Sequence, residues 1–292
     1  MFISYLVYPI LIACTGPIGP IEPTGFIEPQ NIRKAGHGKE KNQSGCFEFM
    51  TYNIRVGGGT ENPFTPVRYI SSSKENLERI AFAIESVDPE VVALQEVRGF
   101  HQVKFLAETL NFNYAYSPHG RQNLDWGLAL LSKFRILEAS SKVIHHGGDQ
   151  RVGAAYTIDI NGNSMTLINV HYHVGNFEPQ VKATMALLKA TRGPVVLMGD
   201  FNRPEAAYEL KPIRQTMIDT CNAVNNDNSR HVRMTGTYLG WPHRRIDYVF
   251  IDPKCFEVKD VGILPEKNWH ASDHIAYFAC IKLKTPQRDY CE

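Results

Sequence analysis

Val195-Val196-Leu197-Met198 is an apolar run that stops on Gly199-Asp200-Phe201-Asn202, and Pro204 keeps it from continuing as a strand. The same design recurs along the chain. Asn53 closes "FEFMTYN" (47–53), Glu96 stands near the end of "VVALQEV" (91–97), and His171 near the end of "SMTLINVHYH" (164–173). Asp247 sits inside "RRIDYVFI" (244–251), and Asp273-His274 opens "SDHIAYFACIKL" (272–283). Runs of this kind read as buried strands. A single acid after a strand is ordinarily a turn residue or a helix cap. An acid within an apolar strand is costlier, because a buried charge must be paired or hydrogen-bonded. The set constrains the fold more than any member does. Sheets that bring their strand ends to one edge would gather all of these groups at one point.

Further strands are expected at "WGLALLS" (126–132) and "AAYTIDI" (154–160), the latter followed by an Asn161-Gly162 turn. Ser72 and Glu75 have capping-box spacing ahead of a helical face of Leu77, Ile80, Ala81 and Ile84, which Asp88-Pro89 ends. A second amphipathic helix carries Val181, Thr184, Met185 and Leu188. From 203 to 240 the chain reads as loose. Strands outnumber helices, and the helices lie between strands. That pattern predicts a layered α/β arrangement with mixed sheets rather than a doubly wound parallel sheet. One domain is expected over 46–285, with a short tail at 286–292.

The first residues differ in kind. Met1 to Ala13 are apolar and lead into Cys14, a run too short to cross a bilayer, which takes about twenty residues. It suits the apolar core of a secretory signal. Leu11-Ile12-Ala13-Cys14 resembles a lipobox, in which the cysteine receives lipid, although no Lys or Arg precedes the run. Residues 1–14 are therefore read as a signal or lipoprotein signal, and the Pro/Gly-rich stretch 15–45 as a spacer. The expected location is outside the cytoplasm, in a bacterial periplasm or cell envelope, or secreted. Membrane contact would come only through the N-terminal lipid. Cys46, Cys221, Cys255, Cys280 and Cys291 remain, with no CxxC spacing. An oxidising compartment would allow one or two disulfides, whose pairing the sequence leaves open.

Net charge is +1, so the chain lacks the basic surplus usual in proteins that grip duplex DNA over many phosphates. Asn53, Glu96 and Asp273 offer hard oxygen ligands of the type Mg²⁺ prefers, and too few to strip it of water. Asp247 and His274 would make a carboxylate–imidazole pair in which the acid fixes the ring's tautomer. Beside a divalent ion, such a pair can prepare water to attack phosphorus. His171 and His173 also have a spacing used by zinc, but zinc would want a third His or Cys nearby. His145 and His146 read as loop residues.

In this order and spacing, "TYNIR", "LQEV", "LINVHYH", "GDFN", "RRIDYVF" and "SDH" resemble the motifs of the endonuclease/exonuclease/phosphatase superfamily of deoxyribonuclease I and exonuclease III. The resemblance covers roughly 47–283. It implies a four-layer α/β/β/α sandwich of two mixed β-sheets with outer helices. By the same resemblance Glu96 would be the principal Mg²⁺ ligand, helped by Asn53 and Asp273, with Mn²⁺ as a substitute. Asp200 and Asn202 would orient the attacking water and the phosphoryl oxygens. His274, paired with Asp247, would be the general base or the ring that polarises the phosphate. His171 would donate to a phosphate oxygen and stabilise charge in the transition state. Relatives often place a Tyr or Arg before the histidine motif to touch the phosphate. Tyr116, Arg121 and Arg151 are available here, Arg151 being favoured. Arg244 and Arg245 read as surface salt-bridge residues.

The substrate is left to the loops. Arg55, Arg68, Arg121, Arg230 and Arg233 would suit a polyanion groove, and Phe64, Trp126, Tyr238 and Trp241 would stack on bases. The leading expectation is a monomeric, Mg²⁺-dependent phosphodiesterase or nuclease acting on nucleic acid or nucleotides. The alternatives are a sphingomyelinase-like phospholipid hydrolase or small phosphomonoesterase on the same site, and a binding protein that has kept the fold without catalysis. The last is disfavoured because every polar motif position is filled.

Overall fold

The computed structural model describes residues 26–27, 45–60, 69–120, 123–147, 149–240 and 242–284. The signal segment 1–14, most of the spacer and the tail 286–292 lie outside the described residues, as do Phe64, Arg68, Arg121 and Trp241.

The long apolar runs become central strands of two sheets. One sheet contains β1 (Phe26–Ile27), β2 (Phe47–Asn53), β3 (Val91–Val97), β4 (Asn113–Gly120), β5 (Asn123–Ser132), β12 (Phe256–Ile263) and β13 (Tyr277–Leu283). Their order is β1-β4-β5-β3-β2-β13-β12. The other contains β6 (Arg135–His145), β7 (Arg151–Ile160), β8 (Asn163–His171), β9 (Val195–Asp200), β10 (Ile218–Asp219) and β11 (Asp247–Ile251), in the order β10-β11-β9-β8-β7-β6. β3, β9 and β11 are buried at every position. Strands covered on both faces have no polar side to alternate with, which is why they read as unbroken apolar runs.

Each sheet holds one parallel pair, β2 with β3 and β8 with β9, and all its other neighbours are antiparallel. A parallel pair needs a crossover, and a helix supplies it in both cases. α1 (Lys74–Val87) joins β2 to β3, and α3 (Phe177–Ala190) joins β8 to β9. α2 (Gly99–Leu110) packs on α1, β4 and β5. The segment that reads as loose contains α4 (Lys211–Arg214), α5 (Thr220–Ala223) and α6 (Asp227–Thr235), the last packed on β12. Among the described residues no helix is long and apolar enough to cross a membrane.

Alternation along β8 separates two cores. Met165 and Leu167 join the main core, which runs from α1 through the first sheet to the inner face of the second. Ile168 and Val170 face the other way and join Phe177, Val181 and Leu187 of α3. The layers are thus α1 and α2, sheet, sheet, α3, as the mixed α/β pattern predicts. A polar bridge crosses the middle. Asn169 donates to the carbonyls of Leu94 and Ala129 (2.9 and 3.1 Å), and Gln95 donates to the Asn169 amide oxygen (2.8 Å). All of these groups are buried, so each bond avoids a desolvation cost that an unmade one would carry.

Local details refine the sequence reading. The cap of α1 is Ser73, whose Oγ accepts from the Asn76 N–H (3.1 Å), while Ser72 Oγ accepts from Gln102 instead. Asp88 ends the helix in the left-handed region (φ 58°). Asn161 and Gly162 both have positive φ (53° and 86°), as a two-residue hairpin turn between right-twisted strands requires. Phe26–Ile27, inside the stretch read as spacer, pairs antiparallel with Tyr116 and Ala115 at the sheet edge. Cys46 and Cys280 form a disulfide that ties the entry of β2 to β13, and Cys255 is disulfide-bonded as well. Cys221 is a buried free thiol.

Candidate active site

The two parallel pairs end at the same edge of the sandwich, with polar residues at or next to their ends. Asn53 ends β2, Glu96 stands one residue from the end of β3, His171 ends β8 and Asp200 ends β9. Register does the rest. His171 is the direct partner of Asp200 on one side, and Asp247, the first residue of β11, is its partner on the other. Neighbouring strands lie about 4.8 Å apart, so three functional side chains are delivered side by side by backbone pairing alone. Asp273 and His274 precede β13 and enter from the first sheet.

The groups are closely connected. His274 Nδ1 lies 2.9 Å from Asp247 Oδ2. Its Nε2 stands 3.7 Å from Asp200 Oδ2, and His171 Nε2 lies 3.5 Å from the same oxygen and 3.8 Å from Glu96 Oε1. Asn53 donates from Nδ2 to Asp200 Oδ2 (3.1 Å), crossing from one sheet to the other. Asn202 holds Asp200 through its backbone N–H (2.8 Å to Oδ1), whereas its side-chain amide donates to the Tyr172 carbonyl (2.8 Å). Asp273 faces Arg55 (Oδ2 to Nε 3.3 Å).

Backbone strain marks the same edge. Glu96 and Asn202 have φ of 52° and 50°, values that a non-glycine side chain adopts at a cost when the surroundings over-determine them. Gly199 is required one residue before Asp200. A Cβ there would sit 2.0 Å from the Val170 carbonyl oxygen of the neighbouring strand.

Burial and charge shift the titration of these groups in opposite directions. Burial, with the charge of Asp247 beside it, raises Asp200 to about 7. Burial, with the charge of Asp273, raises Glu96 to about 7. Burial, aided by Arg151, holds His171 well below its usual value, which favours the neutral ring. Burial would also lower His274, but the charges of Asp247 and Asp200 outweigh it and hold the ring well above its usual value.

Two donor sets suit a cation. Asp200, Asp247 and His274 present ligand atoms within 4.8 Å of one another, and they are the one such group of acids and histidines among the described residues. Asn53, Glu96 and Asp273, the set expected from the sequence, adjoin it on the first-sheet side: Asn53 bonds to Asp200, and Asp273 and His274 both act on Glu96. These three offer only oxygens, the donor type that hard divalent ions take. His171 and His173 do not converge on one ion. His171 faces Asp200 and Glu96, while His173 faces Asp149 (3.7 Å) and stacks on His145 at 4.4 Å.

Three expectations need correction. Tyr116 does not reach the acids: it packs in the core and bonds to Gly99 at the start of α2, because its neighbours Ser117 and His119 take the inward face of β4. Arg55 is not a groove residue but a buried partner of Asp273 and of the Gly59 carbonyl (2.9 Å). Arg245 is not on the surface. It is 5% exposed, paired through both terminal nitrogens with Asp219 and through one with Glu205 (2.9 Å), and its guanidinium lies over Tyr248. Of the remaining groove residues, Arg230 pairs with Asp227 on α6 and Arg233 donates to the Cys221 carbonyl, both away from the acids. Arg151 lies near His171: its guanidinium sits 4.2 Å over the Trp126 ring, whose centroid is 6.0 Å from that of His171.

Some supporting residues carry no signal in the sequence. Thr237 Oγ1 accepts from the N–H groups of Ile246 and Asp247 and fixes the start of β11. Ser272 Oγ donates to the Asn53 carbonyl (2.7 Å) and accepts from the His274 N–H, joining two motifs 219 residues apart. Only its place in "SDH" hinted at it. Tyr238, which the sequence suggested as a base-stacking residue, covers His274, with ring centroids 5.1 Å apart.

A two-sheet sandwich that gathers carboxylates, an amide and two histidines at one edge defines a class of phosphoester hydrolases. The chain belongs to the endonuclease/exonuclease/phosphatase family, whose model matches residues 50–274. It is 27% identical to the protein YbhP of Escherichia coli K12 over 274 residues, covering 84% of this chain and 99% of that one. Among solved structures it is similar to an endonuclease/exonuclease/phosphatase from Bacteroides vulgatus (TM-score 0.67, 18% identity, 82% of this chain and 99% of that one). It is also similar to the mannosyl-6-phosphatase Bt3783 of Bacteroides thetaiotaomicron (TM-score 0.64, 20% identity, 82% and 100%).

Proposed function

We propose that the chain is a divalent-metal-dependent phosphoesterase that cleaves a P–O bond by attack of water, with a nucleotide-sized phosphate ester as substrate. The observation that carries this is the Asp247–His274 pair at 2.9 Å, set beside Asp200, His171 and Glu96. Asn53, Glu96 and Asp273 would hold the metal, Mg²⁺ or Mn²⁺. When bound, the ion polarises the phosphoryl group and neutralises charge that develops on it. Asp200, with one oxygen held by the Asn202 N–H, aims the other at the space between the two imidazoles and takes the proton of the attacking water. His274 keeps Nδ1 on Asp247 and presents Nε2 to the phosphate. His171 donates from Nε2 to a second phosphoryl oxygen. Donors fixed in place before the reaction need no reorganisation as charge appears, which is the usual source of the largest rate term.

The placement of Arg55, Arg230 and Arg233 supports a short substrate over a long duplex, since none of them lines a groove beside the acids. The Cys46–Cys280 disulfide supports an exported protein, with the N-terminal segment as signal or lipid anchor. Bis-(p-nitrophenyl) phosphate tests the chemistry. Hydrolysis should require Mg²⁺ or Mn²⁺, cease with EDTA, and fall by at least a hundredfold in Asp200→Asn and His274→Ala. Full activity in either variant would refute the assigned roles.

A further inference from the structure

Beside His171 lies a second group of polar side chains to which the hydrolysis proposed above assigns no step. The rings of His119, Trp126 and His171 stand 5.5 to 6.2 Å apart, and the Arg151 guanidinium lies 4.2 Å over Trp126. His119 and Arg151 are 0% and 4% exposed. His119 Nδ1 accepts from the Val152 N–H (3.3 Å), which leaves the proton on Nε2. That Nε2–H, Trp126 Nε1–H and Arg151 Nε–H are all buried and have no acceptor. Three N–H groups of one cluster left without partners are exceptional, because each costs about 1–3 kcal/mol.

Among the described residues, one acid is paired directly with Arg151. Asp149 binds Arg151 Nη1, and its other oxygen lies 3.7 Å from His173 Nε2. Its side chain is 41% exposed, so it comes to Arg151 from the solvent side. A single carboxylate, held on a chain turn, satisfies one nitrogen of a group that could satisfy several.

We propose that Arg151, His119, Trp126 and His173 form a subsite for a second phosphate group of the substrate, and that the Asp149 carboxylate occupies its seat in the free protein. A phosphate carries more acceptor oxygens than a carboxylate. Entering in place of Asp149, it keeps Arg151 paired and offers acceptors to the Nε2–H and Nε1–H groups that have none. The substrate is then a phosphate ester with a further phosphate near the scissile one. This rests on hydrolysis at the adjoining site, but binding to the subsite can be measured without catalysis.

The test is calorimetric titration of inorganic phosphate into EDTA-treated protein. Asp149→Asn removes the competing charge at an exposed position and should tighten phosphate binding at least tenfold. In that background His119→Asn, which keeps an acceptor for Val152 but loses the Nε2–H, should reverse most of the gain. Trp126→Phe, which keeps the ring under Arg151 but loses the Nε1–H, should do the same. Phosphate affinity of Asp149→Asn within twofold of wild type overturns the subsite, as does indifference to both second substitutions. Turnover then identifies the source of the phosphate. Dithymidylate is compared with and without a 5′-phosphate, and a hexose monophosphate with a hexose bisphosphate. A preference for the doubly phosphorylated member of either pair, lost in His119→Asn, supports the proposal and names the substrate class. Equal use within both pairs overturns it. Absence of all hydrolysis would count against the adjoining site alone, since the titration still decides this one.

Discussion

Asp247→Asn separates the charge of the dyad from its shape. The side chain is 1% exposed, and its Oδ2 meets His274 Nδ1 at 2.9 Å. Asparagine is nearly isosteric, and Thr237 would still accept from its backbone N–H (3.1 Å). Only the negative charge behind the imidazole is lost. With charge centres about 4 Å apart and an effective dielectric of about 20, that charge is worth about 4 kcal/mol to a protonated ring. At 1.4 kcal/mol per factor of ten, the full loss corresponds to about a thousandfold. We therefore expect kcat on bis-(p-nitrophenyl) phosphate to fall between about a hundredfold and a thousandfold, with KM nearly unchanged, because the pair acts on charge formed in the transition state. Thermal unfolding should shift little. The double variant Asp247→Asn/His274→Ala should lose less than the two single losses combined, since most of the effect of Asp247 passes through the ring. A kcat within fivefold of wild type, or additive losses in the double variant, would refute the dyad.

Two expectations concern stability. Burial, together with the charges of Glu90 and Asp260, raises Glu48 from 4.5 to about 7. A folded-state value above the unfolded one means that the carboxylate destabilises the fold: the penalty is absent below pH 4.5, grows between 4.5 and 7, and is complete above 7. The shift would be worth about 3 kcal/mol if unscreened, and water at this half-buried side chain reduces it, so Glu48→Gln should stabilise by about 1 kcal/mol at pH 8. It should do almost nothing at pH 5, and equal effects in urea melts at both pH values would refute the cause. Arg245→Met leaves Asp219 buried without its bidentate partner, which should cost about 3–5 kcal/mol in the same melts. Arg245→Met/Asp219→Asn should recover a good part of that, because the loss comes from the stranded charge.

The sequence shows the site more fully than it shows the fold. Central strands such as β3 and β9 are apolar at nearly every position, so the polar residues at their ends stand out without any structure. β4, β6 and β12 were not legible for the opposite reason. In β6 exposed and buried residues mix without strict alternation, as in "RILEASSKVIH", and two irregularities break its register with β7. α2, "GFHQVKFLAETL", begins three residues after Glu96 with no capping side chain to announce it. Arg245 could not be placed from sequence because its partner Asp219 comes from another part of the chain, 26 residues earlier. Burial of an arginine depends on the acid it meets, and nothing local to "HRRID" encodes that meeting. Tyr116 fails similarly: strand alternation was visible in principle, but which face of β4 looks inward is decided by the opposing sheet.

The arrangement of sheets also explains why the site is sensitive to packing far from the chemistry. Asn53 belongs to the first sheet and Asp200 to the second, yet their side chains are bonded at 3.1 Å. His274 enters from the first sheet and pairs with Asp247 on the second. Each half of the site is therefore incomplete, and the distance between the halves is the distance between the sheets. What fixes that distance next to the site is the Gln95–Asn169 bridge, which lies one residue before Glu96 and two before His171. Apolar layers alone tolerate sliding, because contact between them is non-directional. A buried amide pair does not, since its bonds are satisfied in one register only. On this account the polar bridge inside the core and the polar cluster at its edge form one device. The first sets the alignment that the second needs in order to hold water, phosphate and metal ligands within reach of one another.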